Sequence, residues 1–127
     1  MNIKKRSALM IAMLAGLTAG ADICAADEQA RTIEKGRAHF KIFCTNCHGL
    51  AADGNGPLVQ LLKIKPTDLT ILGRDGNPEA ITERVLKAVD GRHKVGEGQQ
   101  PKMPVFSENL QVKTVYEIAE YVKSIQR

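Results

Sequence analysis

Five consecutive residues, Cys44-Thr45-Asn46-Cys47-His48, constrain this chain more than any other feature. Two thiols three residues apart lie on one helical turn, so both can bond to one edge of a single planar group. The imidazole of His48 follows directly and is placed beneath the centre of that group. With three Cys and three His among 127 residues, a shuffled chain would contain this run roughly once in several hundred trials. The run therefore indicates a group held by two thiols and one imidazole.

The pattern C-x-x-C-H is the attachment signature of c-type haem. In this chemistry Cys44 and Cys47 form thioether bonds to the two vinyl groups, and His48 becomes the proximal ligand of the iron. Two other interpretations fit less well. A thiol oxidoreductase would place Cys44 and Cys47 in a strand-then-helix setting, which this sequence lacks. A zinc site would need further Cys or His ligands at suitable spacing, and the sequence does not contain them.

Residues 1–26 are predicted to be a cleaved secretory signal peptide. The basic start Lys4-Lys5-Arg6 precedes an apolar stretch over residues 8–21, which is short and rich in small residues for a membrane span. We expect cleavage after Ala26, because it removes the stray thiol of Cys24; cleavage after Ala21 is the alternative. An uncleaved N-terminal anchor is a further interpretation. Haem is attached to C-x-x-C-H outside the cytoplasm, so the sequence predicts a periplasmic location.

Cleavage would leave residues 27–127 as one small domain. Its net charge is +2, against +4 for the whole chain, because the leader carries three basic residues and one acidic residue. No basic tract or aromatic ladder indicates binding to nucleic acid. With three Phe, two Tyr and no Trp, the domain has limited apolar surface to bury, and a central haem would supply much of its core.

Apolar periodicity predicts an all-α fold of three to five helices, with no strand. The predicted helices cover residues 30–43, 78–90 and about 112–125, with a short helix within 58–64. Asn77 and Pro78 mark the start of the second helix, and Gly91 marks its end. Gly36, on the apolar face of the first helix, costs about 1 kcal/mol against Ala. Such a glycine indicates that another backbone approaches closely.

Met103 is the only methionine outside the predicted leader. A single methionine usually fills a core, but Pro101 and Pro104 restrict the backbone on both sides. We therefore predict Met103 as the second axial ligand. Two filled axial positions favour electron transfer over binding of oxygen or peroxide. His93 and His39 are alternative ligands, although His93 is expected in a solvated loop and His39 is expected to face solvent.

Taken together, these residues resemble the class I c-type cytochromes, the small bacterial monohaem kind, over essentially all of residues 27–127. The resemblance implies a cytochrome c fold around one covalently bound haem c, with the first and last helices crossing at Gly36 and Tyr121 or Val122. Phe106 stands where the family often has Trp. The matching motifs are Gly36-x-x-x-Phe40-x-x-x-Cys44, Cys44-x-x-Cys47-His48-Gly49, Gly54-x-Gly56-Pro57, Lys65-Pro66-x-Asp68-Leu69, Asp90-Gly91-Arg92, Met103-Pro104-Val105-Phe106 and Tyr121-Val122.

The resemblance implies roles for residues beyond the motif. A backbone carbonyl near Pro57 is expected to accept the second ring N–H of His48 and so orient the ring. Arg92, with Arg74 as the alternative, is expected to neutralise haem propionates. Four lysines are expected to surround the exposed haem edge and steer an acidic partner. These are Lys41, Lys63, Lys65 and Lys102.

The prediction is a periplasmic electron-transfer protein with His48 and Met103 as axial ligands, and not an enzyme. Its partners would be a redox protein donor and a redox protein acceptor. We expect a monomer that contacts membrane redox complexes peripherally. The alternative is a cytochrome c subunit of a periplasmic or membrane-associated dehydrogenase or oxidase complex. Gas-binding, five-coordinate cytochromes c place C-x-x-C-H near the C-terminus, whereas here the motif lies near the mature N-terminus.

Overall fold

The computed structural model describes residues 19–91, 103–106 and 110–127. Over these residues it contains four α-helices and no strand, which confirms the predicted all-α fold. Two single 3-10 turns lie between the second and third helices. The α-helices are α1 (Ala19–Phe43), α2 (Thr45–His48), α3 (Ala80–Val89) and α4 (Val112–Ser124), and the 3-10 turns are Val59–Leu61 and Leu69–Ile71.

The chain divides into two compact units, Met1–Arg31 and Thr32–Arg127. In the first unit, the side chains of residues 24–31 are exposed, and Arg31 pairs with Asp27 one helical turn away at 2.5 Å. None of the helices in the described part of the chain is both long enough and apolar enough to cross a membrane.

Helix α1 begins earlier than the sequence pattern predicted, at Ala19 and not at residue 30. The added stretch contains no proline, and after Gly20 it contains no glycine until Gly36. Its alanines are strong helix formers, so the helix continues without an apolar stripe to mark it. The signal-peptide boundary proposed after Ala26 falls within this helix and stays a prediction.

The second unit is organised around a close contact between α1 and α4. A Cβ atom on Gly36 would lie 1.8 Å from the backbone oxygen of Glu117, so only glycine allows this approach. One turn further on, the Phe40 ring packs on Tyr121 with 5.3 Å between ring centroids. Phe40 and Val122 are buried. The crossing predicted at Gly36 is therefore confirmed. It explains why this position is a glycine despite the low helix propensity of that residue.

Helices α3 and α4 pack against each other and complete the core. Helix α3 begins at Ala80, two residues later than predicted. The amide of Ala80 donates to the side chain of Asn77 at 3.3 Å, and this bond keeps the residues between them in a capping turn. Helix α4 spans nearly the predicted residues. The short helix expected within 58–64 is a single 3-10 turn with no buried residue. The buried apolar residues of α3 and α4 are Ile81, Val85, Val89, Val115, Ile118, Ala119 and Val122.

We predict that Gly36→Ala lowers the free energy of unfolding by about 1–3 kcal/mol, because the added methyl group would force α1 away from the Glu117 backbone. Urea unfolding of the purified protein measures this change. Gly73→Ala is the matched control, since its Cβ would meet only side-chain atoms, namely Cδ1 of Ile81 at 3.3 Å and Oε1 and Cγ of Gln126 at 3.6 and 3.9 Å. We expect that control to stay within about 1 kcal/mol of wild type. Equal losses in both variants would contradict the close crossing.

Candidate functional site

The C-x-x-C-H motif forms one helical turn directly after α1. The amide of Cys44 donates to the Phe40 carbonyl at 2.9 Å, so the α1 ladder runs into the motif. The amides of Cys47 and His48 both donate to the Cys44 carbonyl, at 3.2 and 2.9 Å. Both thiols are therefore carried by one short helical turn, as the spacing predicted, and His48 is buried beside them.

The loop after the motif folds back and pairs with the carbonyls at the end of this turn. The amides of Gly54, Gly56 and Leu58 donate to the carbonyls of His48, Cys47 and Asn46, at 2.9, 3.1 and 2.9 Å. These carbonyls have no partner within so short a helix, and the loop satisfies them. A Cβ atom on Gly56 would lie 2.4 Å from the Asn46 oxygen, which explains the glycine there.

The ring of His48 is oriented by Thr67, whose carbonyl oxygen lies 3.0 Å from Nδ1. The prediction of an acceptor near Pro57 is wrong for this structure. Pro57 is exposed, and the Gly56–Leu58 segment is bound to the back of the motif turn. Pro66 holds the preceding residue in an extended conformation, and the chain then passes alongside the imidazole. With Nδ1 occupied by Thr67, Nε2 is the ring nitrogen available to an iron.

Met103 lies in a segment that is tied to the end of α3. The amide of Phe106 donates to the Val89 carbonyl at 2.9 Å, and Val105 packs against Gly91 at the same end. Met103 and Phe106 are half-buried and contact the apolar core. Met103 is thus carried to the site by a short irregular segment and not by a helix.

The motif and the methionine segment line the same cavity, which has a volume of about 560 Å³. Cys44, Cys47, His48 and Met103 all lie on its wall. The rest of the wall is largely apolar and includes Phe43, Leu62, Ile64, Pro66, Ala88, Pro104 and Phe106, together with Lys63, Lys65 and Thr67.

This donor set fits a haem held by two thioethers and two axial ligands. Two thiols, one imidazole and one thioether sulfur are the groups that c-type attachment and ligation require. Burial lowers the pKa of His48, and the hydrogen bond to Thr67 opposes this only in part, so the ring is neutral at neutral pH, as a metal ligand must be. The apolar wall suits a porphyrin face.

The Cys44 thiol does not resemble the reactive thiol of an oxidoreductase. Burial, with a smaller effect from the neighbouring Cys47, raises the pKa of Cys44 to about 12. Redox-active C-x-x-C pairs work through thiols whose pKa is lowered, since the thiolate is the nucleophile. The described residues around Cys44 therefore favour attachment over thiol exchange.

Other predicted site residues differ in their placement. Lys63 and Lys65 are exposed at the cavity, whereas Lys41 is exposed on α1 and Arg74 is exposed away from the cavity wall. In the described part of the chain, neither Lys41 nor Arg74 lines the cavity. Three further predictions fall outside the described residues, namely Arg92, His93 and Lys102.

His39 is placed differently from the prediction. It was expected to face solvent, but its Nε2 lies 3.2 Å from a carboxylate oxygen of Glu117 and its side chain is only 33% exposed. Its ring also stacks on Phe43 with centroids 6.4 Å apart. The close approach at Gly36 brings α4 near enough for this pair. His39 is therefore a partner of α4 and does not line the cavity described above.

Sequence reasoning missed Thr67 as the orienting residue for His48. The only sequence feature that pointed to this segment was Pro66, which favours an extended backbone in the preceding residue. Pro66 belongs to the Lys65-Pro66-x-Asp68-Leu69 motif of the family resemblance. Glu117 was missed as well, because a carboxylate between apolar helix positions normally faces solvent.

Comparison with known proteins identifies the family. A family model described as cytochrome C oxidase, cbb3-type, subunit III matches residues 31–122. This range includes the two thiols, His48 and Met103. Searches of the curated proteins and of the solved structures gave no significant match. Because the family model covers more than half of the chain, this protein belongs to the c-type cytochrome family described as cytochrome C oxidase, cbb3-type, subunit III.

Proposed function

We propose that this protein is an exported electron carrier with one covalent haem c, attached through Cys44 and Cys47 and ligated by His48 and Met103. The observation that carries the proposal is the cavity of about 560 Å³ whose wall holds all four of these side chains. The functional domain is residues 27–127, after removal of the signal peptide 1–26. Family membership supports electron transfer through haem, and the ligand pair and location are our proposal.

When bound, the haem supplies one-electron chemistry by alternating between ferric and ferrous iron. The chain supplies attachment, ligands and exclusion of water. The two thioethers would prevent loss of the group, His48 would bind through Nε2 while Thr67 holds Nδ1, and Met103 would be the second ligand. Phe43 and Phe106 contribute apolar cover. Arg92 is the proposed partner of the propionates.

A carrier needs an approach surface and no substrate pocket. Lys63 and Lys65 are exposed at the cavity wall, and no acidic residue lies between Asp53 and Asp68. An acidic face on a redox donor or acceptor would be attracted to this edge. We propose a monomer in the periplasm that meets such partners transiently, without catalysis of its own.

A second candidate function is that of a cytochrome subunit within a larger redox complex. It is favoured by the description of the matching family, which names a subunit of an oxidase. The haem chemistry would be the same, and only the partner surface would differ. The distinguishing observation is whether the purified chain is a stable monomer or co-purifies stoichiometrically with a larger enzyme.

Covalent attachment is tested by replacing both motif cysteines. Cys44→Ala with Cys47→Ala should abolish haem that resists acid-acetone extraction, and should lower helicity, because the cavity wall would lose its apolar filling. Absorption and circular dichroism of exported protein measure both effects. Cys24→Ala, in the predicted leader, is the matched control and should keep the haem. A stable, helical, haem-free wild type would contradict the proposal.

Distal ligation by Met103 is tested by its absorption signature. The oxidised wild type should show a weak sulfur-to-iron charge-transfer band at the near-infrared edge. Met103→Ala should remove this band and allow cyanide or carbon monoxide to bind, because one axial position opens. Met103→His should lower the potential, since imidazole donates more strongly to ferric iron. If the wild type lacks the band, and Met103→Ala leaves the absorption spectrum unchanged while His93→Ala changes it, His93 is the ligand.

Docking at the lysine edge is tested by charge reversal. Lys63→Glu with Lys65→Glu should slow electron transfer to an acidic redox partner about tenfold or more at low salt, even though the loss of positive charge lowers the potential and favours electron donation. The difference from wild type should shrink as salt increases, because screening weakens the attraction. Lys113→Glu, exposed on α4 away from the cavity wall, is the control. Equal rates for all variants at every salt concentration would place docking elsewhere.

A further inference from the structure

The hydrogen bond between His48 and Thr67 depends on a chain segment that follows a stretch with no buried residue. The nine residues 57–65 precede it, and none of them is buried. Thr67 itself is exposed, although its carbonyl lies 3.0 Å from Nδ1 of His48. The backbone just before this carbonyl is in close contact with Gly54, where an added Cβ would lie 2.4 Å from the Pro66 oxygen, and the residues that follow Thr67 supply further support.

The following residues form a tightly bonded turn. Asp68 begins the 3-10 turn Leu69–Ile71, and its Oδ1 accepts the amide of Thr70 at 2.9 Å and the Thr70 hydroxyl. The amide of Leu69 donates to the Ala52 carbonyl at 2.8 Å. The turn is thus rigid internally, and it is tied to the loop that covers the motif.

Gln126 attaches this turn to the end of α4. Its Nε2 donates to the Leu69 carbonyl and to the Val122 carbonyl, both at 2.7 Å. Its Oε1 accepts the amide of Gly73 at 2.9 Å. One side chain therefore caps a carbonyl of the last helical turn and holds the 68–73 segment at the first residue of its 3-10 turn and two residues after that turn ends.

Arg127 adds three further contacts to the same turn. Its amide donates to the Thr70 carbonyl at 3.0 Å, and its Nε donates to the Thr70 hydroxyl at 2.8 Å. Its Nη2 lies 3.4 Å from Oδ2 of Asp68. Asp68 immediately follows Thr67, so these contacts act one residue away from the carbonyl that meets His48.

We propose that Gln126 and Arg127 are positioning residues that hold the Thr67 carbonyl against Nδ1 of His48 and so set the strength of the imidazole as an iron ligand. This inference rests on the proposed function, in which His48 is the proximal ligand. Neither residue touches the cavity wall. Their effect on the haem is therefore transmitted through Asp68, the turn and Thr67.

The expected direction follows from ligand basicity. A hydrogen bond from Nδ1 to a carbonyl fixes the ring and makes the imidazole a stronger donor, which favours ferric iron. When Thr67 is less well held, the bond weakens, the imidazole donates less, and the midpoint potential rises. A simple charge effect has the opposite sign, because removing a positive charge favours the ferric state and lowers the potential.

The test compares Gln126→Ala and Arg127→Gln with Lys123→Gln in the full haem-loaded protein. Lys123→Gln is the matched control, since it removes the same charge from the end of α4 but its side chain pairs with Glu79 and makes no described hydrogen bond to 68–73. The readouts are the midpoint potential by spectroscopic titration and the solvent exchange rate of the His48 Nδ1 proton by NMR. Gln126→Ala and Arg127→Gln should raise the potential and speed the exchange.

If Gln126→Ala or Arg127→Gln fails to fold, Arg127→Lys is the variant to measure. It keeps the charge near Asp68 but loses the Nε bond to Thr70, so it should give a smaller shift in the same direction. Unchanged potential and exchange, even with lowered stability, would overturn the proposal. A fall in potential for Arg127→Gln that equals the fall for Lys123→Gln would also overturn it, because charge alone would then explain the effect.

Failure of the proposed function would give a different result. If the wild type carries no covalent haem, or if His48→Ala keeps the wild-type spectrum, His48 is not the ligand and the underlying function is wrong. If the wild type is a His48-ligated cytochrome and the variants show no shift, only the positioning role is wrong.

Discussion

The close crossing of α1 and α4 is the contact on which the rest of this structure depends. A glycine at position 36 lets the Glu117 backbone approach to a distance that no side chain would tolerate. Helix α1 runs directly into the motif turn, and α4 leads to Gln126 and Arg127. The crossing therefore fixes two parts of the site relative to each other. One is the motif turn, which carries the His48 ring, and the other is the 68–73 segment, which directly follows the hydrogen-bond acceptor Thr67.

The cavity explains the exposure of three large apolar side chains. Phe43, Leu62 and Ile64 lie on the cavity wall and are 37%, 40% and 46% exposed. Side chains of this size normally gain about 1.5–3 kcal/mol each when fully buried. A bound porphyrin would cover them, and in the proposed function it would act as the missing part of the core as well as the redox centre.

The sequence predicted the helices and the motif turn well, because helical periodicity and C-x-x-C-H are local signals. Gly36 on an apolar helix face indicated a close backbone approach, and the family resemblance implied that the last helix makes it. Sequence reasoning failed at Thr67, where the acceptor depends on how an irregular segment passes the imidazole. It failed at His39 as well, because the partner Glu117 comes from α4 and only the tertiary contact brings the two together. The start of α1 was missed because alanine-rich helix without an apolar stripe has no periodic signal.

The central claim is that one haem is covalently held by Cys44 and Cys47 in an exported domain. The most direct test is the intact mass of the purified protein under denaturing conditions. We expect the mass of residues 27–127 plus one haem, and a start at Asp22 would indicate only a different cleavage site. The mass of the bare polypeptide, in protein matured with the haem-attachment machinery present, would contradict the claim.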